Sequence, residues 1–135
     1  MATQSVLLDT SILIDYLPKG NKEKSYFFHL FDNCELYVSI ISQFEVEIGL
    51  KSQQQQREYQ EMIHNMTILA VDRSCLDQAV ETYNFLKSRN QRIELADLLI
   101  AATALAHRLP VATLNAKHFA RIPYLQLVDL VAYQP

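Results

Sequence analysis

Leu95-Ala96-Asp97-Leu98-Leu99-Ile100-Ala101-Ala102-Thr103-Ala104-Leu105-Ala106 carries a single charge, Asp97, in an otherwise almost wholly apolar run. A helix without a polar stripe is not a surface helix, so this segment belongs inside the protein, covered on more than one side. A carboxylate carried into an interior loses its hydration and is tolerated only when it is paired, hydrogen-bonded or bound to a cation. Outward along the chain a second acid stands in a similar place. Asp9 ends the apolar run Val6-Leu7-Leu8, which reads as a buried strand, and Thr10-Ser11 and a further apolar stretch follow it.

The order of elements sets the fold class. Ser5 to Asp9 reads as a strand, and Thr10 or Ser11 caps a helix through Ile12, Leu13, Ile14 and Tyr16 until Pro18 and Gly20 stop it. Asn21 or Lys22 to about Asn33 has helical spacing, and Glu35 to Ser39 forms a second strand. The next helix starts at Ser42-Gln43-Phe44-Glu45 and runs through Val46, Ile48 and Leu50 to the tract Gln53-Gln54-Gln55-Gln56. A helix around Arg57 to Asn65, an extended segment from Thr67 to Val71 and a long helix from about Ser74 to Ser88 follow. After the loop Asn90 to Ile93 comes the Asp97 helix, then a strand at Pro110 to Leu114 and a last one at Tyr124 to Leu127. Strands alternating with helices imply right-handed crossovers and a three-layer α/β/α sandwich with a mainly parallel sheet. Ligands bind such sheets outside the carboxyl ends of the strands, where Asp9 and Thr113-Leu114-Asn115 fall.

Composition narrows the function classes. With 135 residues, half of them hydrophobic, and only 2 Gly and 4 Pro, the chain reads as one domain, residues 1–135, without linker or repeat. No apolar stretch reaches the roughly 20 residues that span a bilayer, and no signal-like N-terminus is present, so a cytoplasmic protein with no membrane partner is expected. Cys34 and Cys75 form no CxxC and read as buried free thiols. A net charge of -3 argues against coating nucleic acid by bulk electrostatics, while leaving room for a local basic rim from Lys117, Arg121, Arg92 and Lys19. There is no Gly-rich phosphate loop, GxSxG elbow or HExxH.

What remains is an oxygen-rich set. Asp9 at a strand end, Glu45 on the helix after the second strand, Asp97 on the buried helix and Asn115 after a later strand could meet in one pocket and hold a hard cation such as Mg2+. Such an ion polarises a phosphodiester and lowers the pKa of a bound water. Each residue also has a duller role. Asp9 could cap the following helix, and Glu45 could complete a capping box with Ser42 three positions earlier. Asp97 and Glu94 could complement the positive end of their helix, and Asn115 could be a turn residue. His118, one turn beyond Asn115, could face the same pocket as an acid, a phosphate contact or a metal ligand.

Four segments in order resemble the PIN domain, and more narrowly the VapC-type toxins of toxin–antitoxin pairs. They are Leu7-Leu8-Asp9-Thr10-Ser11-Ile12-Leu13-Ile14-Asp15, Val38-Ser39 through Glu45-Val46-Glu47-Ile48-Gly49-Leu50, Ala96-Asp97-Leu98-Leu99-Ile100-Ala101-Ala102-Thr103-Ala104, and Val111-Ala112-Thr113-Leu114-Asn115-Ala116-Lys117-His118-Phe119. The resemblance implies a Mg2+- or Mn2+-dependent endoribonuclease that hydrolyses RNA, is usually a homodimer, and is silenced by a cognate antitoxin. It carries the catalytic and metal-binding roles to Asp9, Glu45 and Asp97, with Thr10 and Thr113 as site hydroxyls. Where many members place a fourth acid, this chain offers Asn115 and His118, and Glu94 compensates only if it points inward. Tyr26, Phe27, Leu30 and Phe31 exceed what one helix face must bury, so some of them are expected to line a dimer or antitoxin interface, with core packing as the plainer alternative. The rival reading is a PIN-like module that grips RNA or a protein without cutting. A receiver-like domain phosphorylated on Asp9 ranks last, because the neighbouring acids and downstream lysine it requires are not placed.

Overall fold

The computed structural model describes residues 3–135. Four strands, β1 (Gln4–Leu8), β2 (Cys34–Ser39), β3 (Thr67–Leu69) and β4 (Val111–Ala112), form one sheet in the order β3-β2-β1-β4. Every pairing is parallel. The helices are α1 (Thr10–Tyr16), α2 (Tyr26–Asn33), α3 (Ile40–Glu47), α4 (Gln53–His64), α5 (Arg73–Ser88), α6 (Leu95–His107) and α7 (Ala116–Phe119).

Successive residues of β1 point to opposite faces, and the core divides accordingly. Val6 and Leu8 pack with Ile12, Leu13, Leu30, Tyr59 and Met62 from α1, α2 and α4. Leu7 lies on the other face with Leu86, Ile100, Ala101, Ala104 and Phe119 from α5, α6 and α7. This is the expected three-layer sandwich. Ile100, Ala101, Ala102, Thr103 and Ala104 are fully buried, as a helix without a polar stripe requires. Its end is set by Arg108, in the left-handed conformation at φ 54°, two residues before Pro110.

The register places the functional edge. Leu8 pairs with Val38 on one side and with Ala112 on the other, so β1 and β4 end level and β2 runs one residue further. The next residues are Asp9, Ser39 and Thr113. The chain builds β1, β2 and β3 outward in one direction and then places β4 on the opposite side of β1, so the strand order reverses between β1 and β4. That reversal opens the crevice where doubly wound sheets hold ligands.

Several sequence expectations need correction. The helix expected to start at Ser42 begins at Ile40, because Ser39 is its N-cap and accepts from the Ile41 amide. It stops at Glu47, and the glutamine tract belongs to α4, capped by Ser52. The helix expected from Asn21 to Asn33 is broken at Ser25, whose side chain caps α2 after a short 3-10 turn at Lys22–Lys24. The last strand, at Tyr124 to Leu127, is reduced to one parallel bridge from Leu127 to Val111. Tyr124 has φ 68°, which a strand does not accommodate. Of the four suspected interface residues, Phe27 and Leu30 are core, Tyr26 is half-buried and Phe31 is exposed.

Candidate active site

Among the described residues, five of the eight buried polar side chains, Asp9, Thr10, Ser39, Ser42 and Thr113, lie at or just beyond the carboxyl edge of the sheet. Asp9 is 2% exposed. It occupies the N-cap position of α1, yet its side chain makes no cap hydrogen bond. Its Oδ2 instead accepts from Ser11 Oγ at 2.7 Å and from Thr113 Oγ1 at 2.8 Å. The Thr113 bond crosses from β4 to β1 at the level set by the Leu8–Ala112 pairing. Ser11 Oγ also accepts from the Leu114 amide at 3.0 Å and Thr113 Oγ1 from the Asn115 amide at 2.9 Å, which ties the closing segment to the first acid.

Glu45 enters from α3. With Ser39 as the cap, Ser42 and Glu45 sit one and two turns along, and both face Thr10. Thr10 Oγ1 lies 2.6 Å from Glu45 Oε1 and 2.9 Å from Ser42 Oγ. A hydroxyl has one proton and a carboxylate can only accept, so Thr10 donates to Glu45. The capping-box role for Glu45 is excluded by this geometry, since Ser42 lies inside the helix. Asp97 comes from the first turn of α6. Its carboxyl is held above the ordinary aspartate range, first by desolvation and then by the negative charges of Asp9 and Glu45, with His118 acting in the opposite direction. Three acids from three elements therefore share one field.

Among the described residues no lysine or arginine pairs with any of them. His118 Nδ1 is 3.7 Å from Asp97 Oδ2, beyond hydrogen-bond range, on a largely exposed ring. Asn115 and Glu94 are exposed, and each occupies an N-cap position without a side-chain cap bond. Of the expected basic rim, Lys19 is engaged by Asp15 and the Lys24 carbonyl, and Arg121 donates to the His118 carbonyl. Lys117 and Arg92 stay exposed. Two site hydroxyls escaped the sequence reading: Ser11 and Ser42 look like ordinary caps, and only the register shows that they brace Asp9 and Thr10.

The donor set suits a hard divalent ion. Asp9 Oδ1 and Glu45 Oε2 accept no hydrogen bond from the described residues, so each acid has an oxygen to offer. The three do not all approach within 4.8 Å of one another. Mg2+ keeps several of its waters and is commonly held by one or two carboxylates directly and by others through water, so a set of acids does not need to close on it together.

Residues 6–124 match the PIN domain, a span that contains all four segments singled out in the sequence, and the chain belongs to that family. Within the family it is of the VapC type. It is 32% identical over 117 residues to Ribonuclease VapC1 of Methanocaldococcus jannaschii, covering 87% of this chain and 80% of that protein. Among solved structures, VapBC2 from Rickettsia felis bound to a DNA fragment from their promoter superposes with a TM-score of 0.81 at 27% identity, over 93% of this chain and 98% of that one. VapBC-1 from nontypeable Haemophilus influenzae gives a TM-score of 0.79 at 25% identity, over 95% and 99%.

Proposed function

We propose that the protein is a Mg2+-dependent endoribonuclease toxin, with Mn2+ as a substitute ion, in which Asp9, Glu45 and Asp97 hold the metal and a cognate antitoxin silences cleavage. The observation that carries this reading is the gathering of three carboxylates at the strand-order reversal with no lysine or arginine among the described residues to neutralise them. A bound divalent ion supplies polarisation of the phosphodiester and a water of lowered pKa. The chain's own residues do the rest. Thr113 and Ser11 fix the Asp9 carboxylate by occupying Oδ2, which leaves Oδ1 free of hydrogen bonds from the described residues and available to an ion. Thr10 orients Glu45 in the same way. Asp97, already burdened by its neighbours' charge, gains most from a cation. His118, at the open side of Asp97, is suited to contact a phosphate or donate a proton to the leaving oxygen, and Asn115 and Glu94 line the exposed rim. The relatives' description as ribonucleases and as VapBC complexes supports RNA as substrate and an antitoxin as partner. An RNA substrate and two buried free thiols agree with a cytoplasmic setting. No helix among the described residues is long and apolar enough to cross a membrane.

The test is incubation of the purified protein, freed of antitoxin, with a mixed RNA pool in Mg2+ and in EDTA. Discrete fragments in Mg2+ and none in EDTA are expected. RNA retained intact in both would replace the nuclease by the binding module.

A homodimer is supported by α3 and its C-cap, where Ile40, Phe44 and Ile48 are 44%, 63% and 70% exposed on successive turns of one face. An exposed apolar stripe along one helix face suits a two-fold pair, in which the same patch on each copy covers the other. Phe44→Glu is expected to halve the mass seen by light scattering at micromolar concentration. A monomeric parent, or a variant with unchanged mass, would remove this interface.

A further inference from the structure

A second group of metal-ligating side chains lies away from the acid crevice. Asp72, Cys75 and His107 each bring one ligand atom within 4.8 Å of the other two, and they are the only such trio of His, Cys, Asp or Glu among the described residues. They come from two helices. Asp72 is the N-cap of α5, Cys75 lies in the first turn of α5, and His107 is the last residue of α6. Asp97 and His107 are ten positions apart on α6, which at 1.5 Å per residue separates the two sites by about 15 Å along the helix.

We propose that Asp72, Cys75 and His107 bind a borderline-soft divalent ion, Zn2+ in the first instance, which fastens the start of α5 to the end of α6. Oxygen, sulfur and nitrogen donors in one set match the tetrahedral preference of Zn2+ with a water in the fourth position, and mismatch Mg2+, which avoids thiolate. The side chains are oriented for this before any ion arrives. Asp72 Oδ1 accepts from the Cys75 amide at 3.1 Å and from Ser74 Oγ at 2.8 Å, which locks the carboxylate and leaves Oδ2 as donor. The Cys75 thiol is buried; it donates a long hydrogen bond to the Ala70 carbonyl at 3.7 Å and also faces the Asp72 carboxylate. His107 makes no hydrogen bond with the described residues and stands too far from Asp72 to count as an ion pair. Bond lengths of about 2.0–2.3 Å put tetrahedral donors roughly 3.3–3.8 Å apart, so closing on an ion takes movements of about an ångström. Binding displaces the thiol proton to solvent and forms the sulfur–metal bond, with no change of oxidation state. The site and the ribonuclease reading stand independently of each other.

Co2+ is the probe, because a thiolate ligand gives it a near-ultraviolet charge-transfer band that carboxylates do not. The reduced, chelator-stripped full chain is expected to develop that band with one equivalent of Co2+ and to lose it when Zn2+ is added. Asp97→Asn should keep the band, Cys75→Ser should abolish it, and the exposed His107→Gln should weaken binding at least about tenfold. A circular dichroism spectrum unchanged in His107→Gln separates loss of a ligand from loss of fold. No band in the parent, or a band that survives unchanged in Cys75→Ser or His107→Gln, would overturn the assignment.

Discussion

Asp97→Asn is expected to lower RNA cleavage in saturating Mg2+ by about 10²- to 10³-fold or more, while the variant melts no lower than the parent in metal-free buffer at neutral pH. The rate loss follows from removing a charged ion ligand, since the ion's electrostatic contribution is several kcal/mol and each 1.4 kcal/mol is about tenfold. The stability expectation follows from the sign of the Asp97 shift. Desolvation first, then the Asp9 and Glu45 carboxylates, raise its pKa in the folded state. The unfolded chain therefore releases this proton at lower pH than the folded chain does. Below the unfolded value both states are protonated and the group contributes nothing. As pH rises from there through the folded value, ionisation progressively disfavours the fold. The amide removes that penalty at nearly constant volume, so the variant gains on the parent over that window and keeps the gain at neutral pH. Mg2+ should reverse the order by raising the melting temperature of the parent more than that of the variant. A variant that cuts at the parent rate, or one that melts far below it without metal, would refute the placement of Asp97 among the ion's ligands.

Much of this was legible in the chain because charge is conspicuous among apolar residues. Asp97 and Asp9 stand out for that reason, and the runs around them defined a buried helix and a central strand that the structure contains as α6 and β1. Hydroxyl residues carry no such contrast. Ser39 and Ser42 both precede helix-like residues, and local sequence does not decide which is the cap; burial of Ser42 against Thr10 does, and that contact spans 32 positions. Thr113 was legible as a strand-end residue, but its bond to Asp9 spans 104 positions and exists because Leu8 and Ala112 are in register. The last strand failed for a similar reason. Tyr124 to Leu127 has strand-like composition, yet the positive φ at Tyr124 turns the chain so that only Leu127 meets β4. Local pattern therefore located the acids, and tertiary register selected their partners.

Phe119→Ala is expected to destabilise the protein by about 3–5 kcal/mol, which is the cost of truncating a fully buried aromatic and leaving a cavity. Phe119 is 0% exposed and packs in the cluster containing Leu7, Ile100, Ala104 and Val111, where β1, β4 and α6 meet. It is also the last residue of α7, a helix of four residues that is too short to persist on its own. The aromatic side chain is thus what fixes α7 to the sheet, and α7 carries His118 toward Asp97. Weakening that hold should act on function as well as stability, because the closing segment is joined to Asp9 through Thr113 and Ser11 but has no other large buried side chain of its own. Phe119→Leu, which keeps most of the apolar volume, should cost clearly less. Urea denaturation at constant slope measures both, and the midpoint of the alanine variant should fall well below that of the leucine variant. An alanine variant within about 1 kcal/mol of the parent would mean that the cavity collapses freely and that α7 is held by its backbone contacts.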